Sequence, residues 1–439
     1  MKKLLPFLLC TIAIIGNAQS LRVNRGHIHE VFNATPDEMH FGTDTSIPTA
    51  VRYTVTIGGV TYLTSEIDSI VVSTATTDSN SVAVVYNSDG TADVTISGDI
   101  APHLTVAISG QDVSLTAAET YQDTITYTLS GQATDGSFTM DGEYATNVVL
   151  NNVSITSSDT AAINIRNGKH CYIYVYGENN FADGATGGQK AAFFCNGHAT
   201  FRGDGTVNIT GNARHGYRSD EYTKFNTAFT GNFNILSAAS DGINVQQYLK
   251  VSNGNITVRG NTGDAIDVGI NSDNTKQRNG QVIIEGGTIT AAAINTDTKA
   301  LKADSAITIT GGTLNIIASG LGTKGISAGT NLYTRGGTFN ITASGDTYNY
   351  TDETGQESDS KCQGIRSKAD FYLLGDATTY PTFNVTVTSS DEDTYGIRIK
   401  GYFYYTKAAL KASGFPTKLA KWESGQAKAI DDFSLEDEE

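Results

Sequence analysis

Short stretches of alternating apolar and polar residues dominate this chain. One such phrase recurs as GTVNIT (205–210), GNFNIL (231–236), GNITVR (254–259), GGTITA (286–291), GGTLNI (311–316) and GGTFNI (336–341). A second phrase lies between its copies, starting at residues 215 (HGYRSD), 241 (DGINVQ), 264 (DAIDVG), 299 (KALKAD), 324 (KGISAG), 363 (QGIRSK) and 395 (YGIRIK), with earlier copies at 162 (AINIRN) and 192 (AFFCNG). A period of two is typical of β-strands, whereas an amphipathic helix repeats every ~3.6 residues. The pattern predicts two or three short strands in each repeat of about 25 residues.

Strands this short cannot bury their apolar sides within one repeat, but stacked repeats bury them along one continuous core. We therefore predict an all-β fold, a parallel β-helix (solenoid) over residues 126–405. A small β-rich module at 19–125 precedes it, in which Gly58-Gly59 predicts a hairpin between 53–57 and 60–63. The gaps at 269–281 and 345–362 are predicted to be loops inserted at corners. An acidic C-terminal tail, 406–439, follows the coils and begins with a predicted short helix at 407–412.

The first 18 residues have the pattern of a secretory signal peptide. Lys2 and Lys3 precede an apolar run from Leu4 to Ile15, and Gly16-Asn17-Ala18 supplies the small residues of a cleavage site. This pattern predicts that the protein is secreted or displayed at the cell surface. No later stretch approaches ~18 consecutive apolar residues, so no membrane span is predicted.

Composition sharpens this prediction. The 439 residues include 46 Gly and only 6 Pro, which fits a structure with many corners and with strands paired on both edges. The formal net charge of −16 argues against nucleic acid or an anionic membrane as the main partner.

Beyond the signal peptide the chain has Cys171, Cys195 and Cys362. We expect all three to be small buried hydrophobic residues, with a Cys171–Cys195 bridge as the alternative.

The candidate chemistry lies in the second phrase, whose outward residues would form ladders along one face at ~4.8 Å spacing. Aligned copies place acids in the first half of this face and bases in the second half. Asp241, Asp264 and Asp267, with Asp297 as a further member, would bring several carboxylates together, and oxygen-rich clusters bind Ca²⁺. The alternative is that Lys299 and Lys302 neutralise these carboxylates.

The basic half of the face suits a carboxylated polysaccharide, because arginine offers a carboxylate a two-pronged hydrogen bond. The alternative is a solvated strip with scattered ion pairs. The candidate sugar-binding residues are Lys299, Lys302, Lys324, Arg366, Lys368, Arg398 and Lys400.

Two other classes of function stay open at this point. A polysaccharide lyase would use Lys299 or Lys302 as the base beside a cation that neutralises the substrate carboxylate. An adhesin would use the rod mainly as a spacer. We consider a non-catalytic protein the better interpretation, because the lyase signal is not specific.

Six segments in order, GQKAAFFCNGH (188–198), DGINV (241–245), GDAIDV (263–268), GQVIIEGGTI (280–289), TKALKAD (298–304) and TKGISAG (323–329), resemble a known family. These are the secreted bacterial carbohydrate-binding β-helix proteins that are similar in fold to pectate lyases. The resemblance implies a right-handed parallel β-helix, bound Ca²⁺, and binding of acidic sugars such as polygalacturonate or of cellulose-like glucans. It implies the acidic positions Asp241, Asp264, Asp267 and Asp297 as the calcium ligands.

Overall fold

The computed structural model describes residues 20–33, 39–46, 51–73, 76–433 and 435. The predicted signal peptide, residues 1–18, lies outside them. The chain divides into two compact units, the first formed by residues 1–83 and 93–104, and the second by residues 84–92 and 105–439.

The first unit is built mainly from antiparallel strands, with one parallel pair between Ile28–Phe32 and Ala92–Ser97. Ser20–Arg25 pairs with both Ile28–Phe32 and Ser69–Ser73, and Arg52–Ile57 pairs with His40–Asp44 and Val60–Leu63. The last pair is the predicted hairpin, and its turn residues Gly58 and Gly59 have φ of 56° and 82°, which favour glycine. Single 3₁₀ turns occupy Thr64–Glu66 and Ala101–His103, and two further strands, Ser81–Tyr86 and Ala92–Ser97, cross the boundaries of the units.

The second unit is a solenoid whose strands form three stacks. The strands of the first stack are Leu104–Ser109, Gln111–Ala117, Gly136–Asp141, Ile163–Ile165, Ala191–Cys195, His215–Ser219, Ile243–Val245, Ile266–Val268, Lys299–Ala303, Lys324–Ala328, Gln363–Ser367, Tyr395–Ile399 and Ala420–Trp422. From Gln111–Ala117 onward each strand pairs in parallel with the next. This is the predicted parallel β-helix.

The other two stacks complete each coil. The second stack contains Ile125–Ala133, Thr146–Thr156, His170–Tyr176, His198–Gly203, Thr223–Phe229, Tyr248–Val251, Gln281–Ile284, Ile307–Ile309, Leu332–Thr334, Phe371–Leu373, Phe403–Tyr405 and Lys428–Ala429. The third contains Glu178–Ala182, Thr206–Gly211, Asn232–Ala238, Asn255–Val258, Thr288–Ala293, Thr313–Ala318, Thr338–Ala343 and Thr382–Val387. The two recurring phrases therefore fall on the third and first stacks.

The solenoid core is a column of rings and branched aliphatic side chains contributed by every coil. Around Phe201, fully buried, the ring of Phe225 stacks at 4.9 Å between centroids and that of Phe233 packs edge-on at 5.1 Å. Along each strand, apolar residues point inward and polar residues point outward. The apolar side of a strand is stabilised only when the next coil covers that side. At the corners, Gly312 and Gly337 have φ of 81° and 85°, and a Cβ there would lie 2.8 Å from a carbonyl oxygen of the coil below.

The parallel stacks are longer than the predicted range of 126–405. Gln111–Ala117 already pairs with Gly136–Asp141, so part of the segment assigned to the 19–125 module lies in the solenoid. At the other end, the short helix Lys407–Ala412 forms as predicted, capped by Thr406 Oγ1, which accepts from the Ala409 N–H. The predicted tail then adds two more parallel strands, Ala420–Trp422 and Lys428–Ala429, and the Trp422 ring packs 5.6 Å from that of Phe403. These strands have only three and two residues, too few for an alternating pattern to predict them.

The predicted corner loops differ from each other. Within 345–362, Tyr348–Thr351 and Glu357–Ser360 form an antiparallel hairpin, so this segment is not an irregular loop. Residues 269–280 have no strand of their own. All three described cysteines are free and buried, as predicted. No described helix is long and apolar enough to cross a membrane.

Candidate functional site

One outward position on each strand of the first stack falls at the same point of the register, and these side chains form a column along the solenoid, which we name the charged column. In chain order it contains Ser114, Thr139, Asn164, Phe194, Arg218, Asn244, Asp267, Lys302, Ser327, Arg366, Arg398 and Lys421. The members from Arg218 to Arg398 are the ones that the repeat alignment places on a single face. Neighbouring members are about 4.8 Å apart along the stack.

Around the middle of the column, Asp241 and Asp264 join the column member Asp267 in an acidic group, and these carboxylates accept hydrogen bonds from the protein. Asp241 Oδ1 accepts from the Asp264 N–H at 2.9 Å, and Asp264 Oδ1 accepts from the Lys299 N–H at 2.8 Å. The Asn244 side-chain amide donates to Asp241 Oδ2 at 2.9 Å and to Asp267 Oδ2 at 3.3 Å. Three of the four predicted aspartates are thus joined by backbone and amide donors.

Burial sets the protonation of this region. It raises the pKa of Asp264 to about 6, opposed by the charge of Lys299, and it also raises the pKa of Asp267. Burial lowers the pKa of His215 to about 4. Its Nδ1 lies 3.3 Å from Asp241 Oδ2, but neither ring nitrogen has a hydrogen-bond partner among the described residues. His215 is therefore neutral near pH 7.

The predicted lysines are paired with carboxylates of the chain. Lys302 Nζ lies 2.8 Å from Asp267 Oδ1 and 3.2 Å from Asp304 Oδ1. Lys324 Nζ, almost fully buried, lies 3.0 Å from Asp297 Oδ1 and donates to the Gly322 carbonyl at 2.6 Å. Lys299 Nζ also faces Asp297, 3.5 Å from its Oδ2. All three lysines thus face carboxylates of the chain, but only Lys302 pairs through its ammonium group with a member of the Asp241, Asp264 and Asp267 group.

The arginines at the C-terminal end of the column differ in their partners. Arg398 Nη2 lies 2.7 Å from Glu423 Oε1, which is also 3.4 Å from Lys400 Nζ. Arg366 and the exposed Lys368 have no ion pair with any described carboxylate. The Arg366 Nε is buried without a hydrogen-bond partner in the described part of the chain. Of the predicted sugar-binding residues, these two alone keep their charge unpaired within the described ranges.

The four predicted calcium ligands do not converge. Asp241, Asp264 and Asp267 lie together but are occupied by nitrogen donors, and Asp297 faces Lys299 and Lys324 instead. Among the described residues, no group of three or more His, Cys, Asp or Glu side chains is arranged to hold a metal ion. These residues do not fit a calcium site in this arrangement, so bound calcium stays a prediction from the sequence.

The two lysines considered as a lyase base are held as cations by their neighbours. Burial alone would lower the pKa of Lys302, but the hydrogen bonds and charges of Asp267 and Asp304 outweigh it and hold that pKa above its usual value. A general base must be unprotonated near the working pH. Lys299 Nζ donates to the Asp297 backbone carbonyl and lies beside its carboxylate. This geometry does not favour proton abstraction by either lysine.

Sequence reasoning missed a group at the N-terminal end of the charged column. A cavity of about 500 Å³ there is lined by Asn164 and Phe194 of the column together with Arg166 and Lys190. Lys190 Nζ lies 4.8 Å from the centre of the Phe194 ring and pairs with Asp220. The exposed Arg166 has no carboxylate partner among the described residues. The signal was present in AFFCNG at 192–197, a copy of the second phrase that puts an aromatic ring in the column.

A second missed group lies on the second stack. Tyr222, Tyr248, Lys224 and Lys250 line a cavity of about 630 Å³, which we name the aromatic–cation cavity. The sequence signal is a Tyr-x-Lys phrase that appears at 222–224 and again at 248–250. In the structure these phrases occupy successive coils, with Lys224 directly opposite Lys250 in the parallel pairing.

Comparison with known proteins gives one match to a family and one to a solved structure. The family model described as "Carbohydrate-binding domain-containing protein" matches residues 109–354, more than half of the chain. Among solved structures, the chain is similar to the polysaccharide lyase-like protein from C. thermocellum (gadolinium derivative). The two are 22% identical with a TM-score of 0.43, and the match covers 54% of this chain and 91% of that chain. No curated protein matches the chain.

Proposed function

The chain belongs to the family of carbohydrate-binding domain-containing proteins, and from that premise we propose that it binds an acidic polysaccharide along the charged column. Family membership supports glycan binding in general. The acidic character of the ligand is our inference from the cations of the column that have no acid partner. The predicted signal peptide supports a role outside the cell, and N-terminal sequencing of the exported protein tests that part of the proposal.

A single observation carries the proposal. The column is continuous over successive coils. Arg166, which lines the first cavity beside the column, and Arg366 within the column have no carboxylate partner in the described ranges. Between them, Lys302 pairs with Asp267 and Asp304. A polymer with carboxylates at intervals would pair with both guanidinium groups, because arginine binds carboxylates with two parallel N–H donors.

The test is binding to polygalacturonate, measured by affinity electrophoresis and by calorimetry with defined oligomers. We expect Arg366→Gln to weaken binding about three- to tenfold, because one charge-assisted hydrogen bond at a partly exposed position is lost. Arg259→Gln is the matched control, since Arg259 directly follows the third-stack strand Asn255–Val258 and is not a member of the column. Equal affinity for the Arg366 and Arg259 variants, or preference for an uncharged glucan, would contradict the proposal.

Two separate measurements address the predictions that the geometry leaves untested. Metal analysis of the purified protein reports whether calcium is bound. Absorbance of unsaturated product during incubation with polygalacturonate reports lyase activity, and steady turnover would overturn a purely binding role.

A further inference from the structure

The aromatic–cation cavity has one wall of stacked rings. His198 and Tyr222 lie parallel with their centroids 4.5 Å apart, and Tyr222 and Tyr248 follow at 4.7 Å. The three rings come from successive coils, so the solenoid repeat itself sets their spacing. The three rings therefore form one continuous stacked wall of the cavity.

Cations outnumber carboxylates around this wall. Lys224, Lys250, Lys276 and Arg278 line the cavity. Lys250 pairs with Glu285 at 2.6 Å and Lys276 with Glu221 at 3.1 Å. Among the described residues, the lining contains these four cations and no carboxylate, so it carries an excess of positive charge.

Lys224 is the centre of that excess. Its Nζ lies 4.7 Å from the centre of the Tyr222 ring and 5.8 Å from that of Tyr248, and it pairs with no carboxylate in the part of the chain that the structure describes. Burial lowers the pKa of Lys224, and the charges of Lys250 and Arg278 lower it further. A half-buried ammonium group surrounded by other cations is stabilised by an anion.

The opposite wall is the segment 269–280, which is held in place over two coils. Asn271 Nδ2 donates to the Asp220 carbonyl at 3.1 Å, and Gln247 Nε2 donates to the Gln277 carbonyl at 3.0 Å. The Lys276–Glu221 pair adds a third connection. The cavity is therefore built from three coils and a tethered loop.

We propose that the aromatic–cation cavity is a second glycan site that binds an anionic sugar unit, carboxylated or sulfated, independently of the charged column. Cations with aromatic rings also suit single-stranded nucleic acid, but the net charge of −16 and the family membership favour a sugar. Two anion sites on different stacks would let one protein hold two polymer segments, and the gain in avidity needs no new contact.

The test is calorimetric titration of the whole protein with trigalacturonate, a sulfated oligosaccharide and cellotriose. We expect one or both anionic oligomers to bind, and Lys224→Met to weaken that binding about tenfold, as for a lost charge-assisted hydrogen bond. Arg278→Gln, in the loop, should weaken it severalfold and serves as the second variant if Lys224→Met does not fold. The ratio of affinities for trigalacturonate and the sulfated oligomer identifies the anionic group.

Arg366→Gln separates this site from the charged column. If the second site exists, Lys224→Met loses binding at the cavity and Arg366→Gln loses binding at the column. The double variant loses both. Wild-type affinity in both cavity variants would overturn the second site, whatever becomes of the column. Equal binding of cellotriose, or tighter binding of an oligonucleotide, would overturn the anionic-sugar assignment.

Discussion

The charged column and the aromatic–cation cavity lie on the same coils but handle charge in opposite ways. In the column, Lys302 lies between Asp267 and Asp304, and Lys324 is buried against Asp297. In the cavity, Lys224 faces Lys250 and has aromatic rings where the column has carboxylates. In a solenoid, the charges on one face can thus pair with each other, while a cation on another face stays available for an external anion. Residue composition alone does not distinguish the two faces, since both are rich in lysine.

The largest effect should come from the core that both regions share. Phe201 is fully buried and packs on the rings of Phe225 and Phe233. We expect Phe201→Ala to lower the free energy of unfolding by about 3–5 kcal/mol, because it leaves a cavity among rings that cannot collapse. Urea denaturation measures this, with Leu236→Ala, at a 55% exposed position, as the control. A loss below about 1 kcal/mol would mean that the coils repack.

The acidic middle of the column should make stability depend on pH. The folded-state pKa of Asp264 is about 6, above its usual value of 3.8, so the folded state holds the proton more tightly between these values. The stability contributed by Asp264 is therefore present at low pH and is lost as the pH rises through 6. We expect Asp264→Asn to gain about 2–3 kcal/mol relative to wild type between pH 4 and pH 8.

Differences between variant and wild type isolate this titration. His215 acts in the opposite direction, since its pKa of about 4 makes its contribution fall as the pH drops from 6.5 to 4. It is present in both proteins, so it cancels. Urea denaturation across the pH range gives the curve, and the exposed Asp204→Asn is the control. A pH-independent gap between Asp264→Asn and wild type would show that Asp264 is not buried as described.

A methionine in place of a column lysine should be destabilising. In Lys302→Met, Asp267 keeps its half-buried carboxylate but loses the ammonium group 2.8 Å away. We expect a loss of about 1–2 kcal/mol, because a partly buried charge is left without its partner. The double variant Lys302→Met/Asp267→Asn should recover more than half of that loss in the same denaturation experiment. No recovery would mean that the lysine stem, rather than its charge, stabilises the coil.

The column could be predicted from sequence and the cavity could not, for a physical reason. In the second phrase the small residue before Ile243, Ile266 or Leu301 aligns each copy, and strict alternation then gives which residues share a face. Pairing partners such as Lys302 and Asp304 depend on side-chain direction, which alternation does not give. The cavity depends on Tyr222 and Tyr248 at strand starts and on a loop that crosses two coils. In the sequence, only the repeated Tyr-x-Lys phrase indicates the cavity. Recognising that its two copies lie side by side requires the number of residues in each coil.

The smallest effect is the one that separates the two regions most clearly, the same lysine-to-methionine change made in the cavity. Lys224 lies opposite Lys250 in the parallel pairing, and like charges directly opposite each other in a sheet are destabilising. Methionine keeps the apolar stem against Tyr222 and removes the repulsion. We therefore expect Lys224→Met to leave stability unchanged or to raise it by about 0.2–1 kcal/mol, while Lys302→Met lowers it. Urea denaturation of both variants at low and high salt measures the difference, which should shrink with salt as charge effects are screened. A gain in stability on Lys224→Met would mean that Lys224 costs stability in the unbound protein, as is expected of a residue whose role is binding. A destabilised Lys224→Met would instead show that this ammonium group already has its partner within the fold.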